Sequence, residues 1–249
     1  MLIINADDWG FNRWSTKQIL SCSKNKCITS ASAMVFMEYS DRASEIAREN
    51  NIDTGLHINL THPFNGKITS AKLFECLNKC SKFLKKSKFN YIVYNPFLYN
   101  QFEYLFNSQW DEFLRLYNKY PSYINGHWHM HLCMNILLQK LIPKGYCVRK
   151  HFSFMPGEKN VLNRLYRSII NRFLIKRYRT TDYFLSLSPI SHDRLNRIVS
   201  LSDNYNVELM VHPEKAVEYQ YLMSDEYLVL MQSANKGRFT DIRPLYLHE

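Results

Sequence analysis

Leu2-Ile3-Ile4-Asn5-Ala6-Asp7-Asp8-Trp9-Gly10 decides how this chain is read. A short apolar run of this kind has the composition of a buried strand. It ends in two carboxylates and then a turn. The same plan recurs at Thr54-Gly55-Leu56-His57-Ile58-Asn59-Leu60, at Tyr123-Ile124-Asn125-Gly126-His127-Trp128-His129, and at Val207-Glu208-Leu209-Met210-Val211 followed by His212-Pro213. Each is an apolar strand with Asp or His at or near its end. Further strands are expected at Ile28–Val35, Tyr146–Lys150, Asp182–Leu187 and Ile242–Leu247, with helical patterns between them.

Strands that alternate with helices are the signature of a parallel sheet built from βα units. No linker or internal repeat divides the 249 residues, and no GxGxxG phosphate loop follows any strand. The expected fold is therefore α/β, a TIM-barrel-like (βα)7–8 barrel variant in a single domain over 1–249, with an excursion at 61–100. In such barrels the carboxyl ends of the strands converge on the active site. Asp7, Asp8, His57, His127 and His212 all fall at that kind of position.

Composition narrows the class. Hydrophobic residues make up 46% and aromatics 14%, which a disordered chain does not have. No apolar run reaches the roughly 18 residues of a membrane span. The first residues carry no basic segment and turn acidic at once, unlike a signal peptide, so the expected location is cytoplasmic. Six cysteines without a CxxC pair are expected as reduced, packed thiols. The net charge of +10 is concentrated: between Lys144 and Thr181 there are ten Lys and Arg against one acid, Glu158.

Asn125-Gly126-His127-Trp128-His129-Met130-His131 carries the densest chemistry. On a strand, alternate side chains share a face, which predicts His127, His129 and His131 beside Asn125. Neutral imidazole is the commonest protein ligand for a divalent metal, and a polar stripe is costly to bury without a metal or hydrogen-bond partners. Asp7 and Asp8 point oppositely on a regular strand. They share a site only if the strand breaks there, and Gly10 makes a break plausible.

These motifs, Asn5-Ala6-Asp7-Asp8-Trp9-Gly10, Gly55-Leu56-His57-Ile58-Asn59-Leu60-Thr61, His127-Trp128-His129-Met130-His131 and Leu209-Met210-Val211-His212-Pro213, resemble in order and spacing those of the YdjC-like carbohydrate deacetylases. The resemblance implies one divalent metal ion, zinc or magnesium, and removal of acetyl from an N-acetylated sugar. Carried over position by position, it implies Asp8, His57 and His127 as metal ligands, Asp7 as catalytic base and His212 as general acid. Arg149, with Asn59 and His129, is assigned to substrate contact. The chain departs from the family at Trp9, where Phe is usual, and at Asn125, where an aspartate is common.

Other readings compete. Asp/His barrels also host phosphoesterases and amidohydrolases. A sugar-binding scaffold with a decayed site conflicts with the intact Asp and His set, and no recognised nucleic-acid motif accompanies the basic stretch. A homodimer is compatible with the sequence. The helix expected at Val161–Lys176 is amphipathic and basic. Its apolar side is expected to pack on the sheet, leaving the cations to draw in an anionic or nucleotide-linked sugar. The alternative is contact with an anionic membrane surface.

Overall fold

A computed structural model describes residues 1–67, 70–153 and 161–242, and of 161–163 the backbone alone. The elements in chain order begin with β1 (Leu2–Trp9), α1 (Arg13–Lys24), β2 (Ser30–Ala33), α2 (Ser40–Glu49), β3 (Thr54–Ile58), α3 (Ala71–Lys86) and α4 (Tyr99–Tyr117). They continue with β4 (Ile124–Gly126), α5 (Met134–Leu138), α6 (Val161–Ile175), β5 (Tyr183–Ser186), α7 (His192–Asn204), β6 (Val207–Val211), α8 (Ala216–Leu222) and α9 (Asp225–Leu230). The fold is α/β, with six strands among the described residues in the order β4-β3-β2-β1-β6-β5. Tyr146–Lys150, expected as a strand, forms only an isolated bridge from Cys147 to Arg179. Ile242–Leu247 lies almost wholly outside the described residues. Among the described residues no helix is long and apolar enough to cross a membrane.

The chain sorts into two compact units, one of Met1–Asp7, Lys17–Ala31 and Lys144–Glu249, the other of Asp8–Thr16 and Ser32–Pro143. In the first, β1 pairs parallel with β6, Leu2 opposite Val207 through Ala6 opposite Val211, and β6 pairs parallel with β5. β1 and β6 are buried on both faces, which accounts for their near-continuous apolar sequence. All six cysteines are free and buried, as expected of packed thiols.

Only part of the apolar side of α6 is covered. Ile170 and Leu174 are buried, but Leu165 and Ile169 are each 57% exposed and Phe173 is 37% exposed. The expectation that this side packs wholly inward is corrected. The helix carries more apolar surface than one contact stripe can hide.

In the second unit β3 pairs parallel with β4, placing His57 directly opposite Asn125. The expected strand to His129 stops instead at Gly126. The chain folds back there so closely that a Cβ on Gly126 would lie 3.0 Å from the His131 nitrogen and 3.1 Å from the Ile58 oxygen. Trp128 and His129 then take left-handed φ values of 53° and 58°. A tight turn replaces the regular strand, so the three histidines do not share one face. The helix of the 61–100 excursion, α3, is capped by Ser70, whose hydroxyl accepts from the Leu73 nitrogen.

Gly55, in the middle of β3, faces the buried Tyr123 ring. A Cβ there would sit 2.5 Å from two ring atoms, and the ring is itself fully buried. Gly55→Ala is expected to destabilise the protein by about 1–3 kcal/mol through overpacking, read by urea denaturation. An unchanged midpoint would show that Tyr123 can move aside.

Candidate metal centre

The second unit holds Asp8, His57 and His127, whose ligand atoms all lie within 4.8 Å of one another. Each is placed by a different segment. Asp8 has φ 68° and Gly10 φ 83°, so regular strand alternation ends at the second of the two aspartates. Asp and Asn enter this left-handed region more readily than most residues. The turn is pinned by the Ser15 hydroxyl and the Phe11 nitrogen, which donate to the Asp8 carbonyl at 3.1 and 3.2 Å, and by the Gly10 nitrogen, which donates to Thr16 Oγ1 at 3.1 Å.

His57 is 2% exposed. Its Nδ1 lies 2.7 Å from Asn125 Oδ1, while Asn125 Nδ2 donates to Ser32 Oγ at 2.8 Å. The Ser32 hydroxyl in turn lies 3.2 Å from that of Tyr123. With the amide nitrogen engaged by Ser32, the amide oxygen accepts from Nδ1–H of His57. That assignment of hydrogens leaves a lone pair on Nε2. Nε2 faces Asp8 Oδ1 at 3.4 Å, and His127 Nδ1 lies 3.0 Å from the same oxygen. Two lone-pair-bearing atoms turned toward each other call for a cation between them. Burial alone would raise the Asp8 pKa, but the neighbouring effects that lower it, led by the His127 hydrogen bond, outweigh burial and hold the carboxyl well below its usual range. One carboxylate and two imidazoles, with positions left over, are a donor set that suits a divalent ion.

His129 is half-buried with its ring edge-on to His131, and His131 is fully buried. Neither belongs to the donor group. Asn59 is also fully buried. Its Oδ1 accepts from the nitrogens of Thr61 and His62 at 3.1 and 2.8 Å, and its Nδ2 donates to the His62 carbonyl at 2.8 Å. The amide thus shapes the loop that carries His62.

His62 and Phe11 were not anticipated. Phe11 packs edge-on against His62 at 4.8 Å and stacks beside His127 at 6.3 Å. Burial, then the nearby His127 and Lys85, lower the His62 pKa. A lone histidine after Leu60-Thr61 has no pattern of its own. Its only signal is its place directly after the third-strand motif. Trp128, 59% exposed, stacks on His127 with ring centroids 5.3 Å apart.

The first unit holds Asp7, Arg149, Glu208 and His212. Arg149 donates to both oxygens of Asp7, at 2.6 and 2.8 Å, and its Nε donates to Glu208 Oε1 at 2.7 Å. Asn5 Nδ2 adds a bond to the same Glu208 oxygen at 3.1 Å. Arg149 and Glu208 are both fully buried. Burial works against the Arg149 charge, but the two carboxylates outweigh it and raise its pKa. For Glu208, burial dominates and raises the pKa against the pull of Arg149. Glu208 was missed because a single acid inside a strand reads as an edge position. His212 Nε2 is 4.0 Å from Asp7 Oδ2, and its backbone nitrogen donates to buried Glu218 at 2.7 Å.

The parallel βα architecture carries a group of one Asp and two His that could hold a metal ion. The chain belongs to the YdjC-like protein family, whose model matches residues 1–238. Among curated relatives, a carbohydrate deacetylase of Clostridium beijerinckii is 28% identical over 222 residues, covering 85% of this chain and 80% of that one. A mouse carbohydrate deacetylase is 26% identical, covering 85% and 77%. A chitooligosaccharide deacetylase of Proteus mirabilis is 27% identical over 55% of this chain and 52% of its own. A crystal structure from Enterococcus faecalis, provisionally described as a cellobiose-phosphate cleavage protein, shares the fold with a TM-score of 0.68 at 19% identity, covering 96% of this chain and 97% of that one.

Asn125→Leu removes the acceptor that fixes the His57 tautomer. Loss of such an outer partner typically weakens metal binding about 10–100-fold, and that is the fall expected in calorimetric zinc titration. Wild-type affinity in the variant would show that Asn125 does not orient His57.

Proposed function

We propose that the protein is a metal-dependent carbohydrate N-deacetylase, removing the acetyl group from an N-acetylated sugar. The observation that carries this is the Asp8, His57 and His127 group, with the His57 lone pair aimed at the Asp8 carboxylate, in a chain whose relatives bear deacetylase names. Those three residues would hold one divalent ion, zinc or magnesium. When bound, such an ion polarises the acetyl carbonyl and makes water more acidic.

The remaining chemistry falls to side chains. Asp7 takes a proton from the water that attacks the acetyl carbon. His212 gives a proton to the departing nitrogen as the C–N bond breaks. One water is consumed, and acetate and a free amine are released. Arg149 is a positioning residue in this scheme: its bidentate bond fixes the plane of the Asp7 carboxylate, and its complete burial argues against the substrate contact expected from sequence. The loop-binding role of Asn59 argues likewise. Trp128, exposed and stacked on a proposed ligand, offers an apolar face for a sugar ring, and His129 beside it in the same turn stays assigned to substrate.

The seven- or eight-stranded barrel variant, as one deacetylase domain over 1–249 with its excursion at 61–100, belongs to the same proposal. So does a cytoplasmic location, which six free buried thiols favour.

Asp7→Asn is expected to keep its metal and lose at least about a hundredfold in kcat for acetate release, the usual scale for a general base. His212→Ala is expected to lose a similar amount. Near-normal turnover in either variant, with metal content and melting temperature preserved, rules that residue out of its role.

A further inference from the structure

The first unit also contains a cluster of cations that takes no part in the chemistry proposed above, although one of them, Lys150, directly follows Arg149 in the chain. A cavity of about 310 Å³ opens beside α6, lined by Lys150, Arg164, Arg167, Ser168, Asn171 and Arg172 among others, and no acidic residue contributes to its lining. Lys150 reaches the backbone carbonyl of Asp182 and is partly buried. Arg167 stacks over Phe152 at 5.9 Å. Concentrated positive charge in a concave site selects an anion, and guanidinium groups match phosphate geometry.

The outer surface of the same helix gives the anion a context. Ile170 and Leu174 point inward, at 8% and 0% exposure. Turned away from them are Leu165 and Ile169, each 57% exposed, and Ile175, 50% exposed. Exposed Arg172 and Lys176 are interleaved with these apolar side chains. A soluble phosphometabolite needs the cations but gains nothing from the exposed leucine and isoleucines. A bilayer carrying anionic headgroups matches both, since its interface takes up apolar side chains while its phosphates meet the cations.

We infer that α6 is an interfacial membrane-binding helix, and that the basic cavity beside it receives the phosphate of an anionic phospholipid headgroup. The reaction proposed above is not needed for this inference. It makes the enzyme a peripheral protein, brought to substrates held at a membrane surface.

The test is co-sedimentation of the full-length protein with vesicles of phosphatidylcholine alone and of phosphatidylcholine with phosphatidylglycerol, over a range of salt. The expected result is at least about tenfold tighter binding to the anionic vesicles, weakening as salt rises. Arg164→Gln and Arg172→Gln should each weaken it about fivefold, the contribution of one cation near an anionic surface. Ile169→Asp should weaken it further at every lipid composition, while leaving the melting temperature unchanged because its side chain is exposed. Inorganic phosphate and glycerol phosphate are titrated in parallel. Saturable binding of either without vesicle binding overturns the membrane assignment in favour of a soluble phosphate ligand. Concentration-dependent dimerisation abolished by Ile169→Asp, again without vesicle binding, overturns it in favour of a second copy of the chain. Equal binding to neutral and anionic vesicles overturns the headgroup assignment.

Discussion

The hydrogen bond from His57 Nδ1–H to Asn125 Oδ1, 2.7 Å long, sets the conditions for the rest of the metal centre. It exists because β3 and β4 are parallel and in a register that puts the two residues opposite each other. It stays in one orientation because Ser32 takes the amide nitrogen. The consequence is electronic as well as geometric: the imidazole presents a lone pair, not a proton, to Asp8. An aspartate at position 125 would orient the ring as well and add negative charge. The amide orients the ring without adding that charge behind His57.

A second constraint is covalent. The proposed base and the proposed ligand are consecutive residues, and a regular strand would turn them apart. The left-handed φ of Asp8 ends that regular alternation, at some conformational cost. Hydrogen bonds from Ser15 and Phe11 to its carbonyl offset the cost locally. Asp7, before the break, is held in a different manner, by a buried guanidinium that also donates to Glu208. Pairing is what makes such burial tolerable, since an unpartnered charge in the same place would be strongly destabilising. Arg149 is therefore as much a structural residue as a functional one.

Much of this was legible in the sequence. Buried strands ending in Asp or His announce themselves by an apolar run followed by a polar residue, and Asp8, His57 and His127 were found that way. What escaped depends on tertiary approach. The turn after Gly126 could not be read from alternating histidines, because the pattern fits a strand and only the closeness of His131 and Ile58 to Gly126 forbids it. His62 is brought beside Phe11 by the bonds of Asn59 to its backbone, a local fold with no periodicity. Glu208 sits in a strand whose apolar character hides it, and the partner that explains it is 59 residues away. For α6, periodicity gave the helix but could not say how much of its apolar side would be covered.

The central claim is that the Asp8, His57 and His127 group holds the ion on which sugar deacetylation depends. The most direct measurement is acetate release from an N-acetylated chitooligosaccharide by protein stripped with chelator, then reloaded with zinc or magnesium in fractional equivalents. The account predicts no turnover in the stripped protein and a linear return of activity that saturates at one ion per chain. Full acetate release in the stripped protein would contradict it.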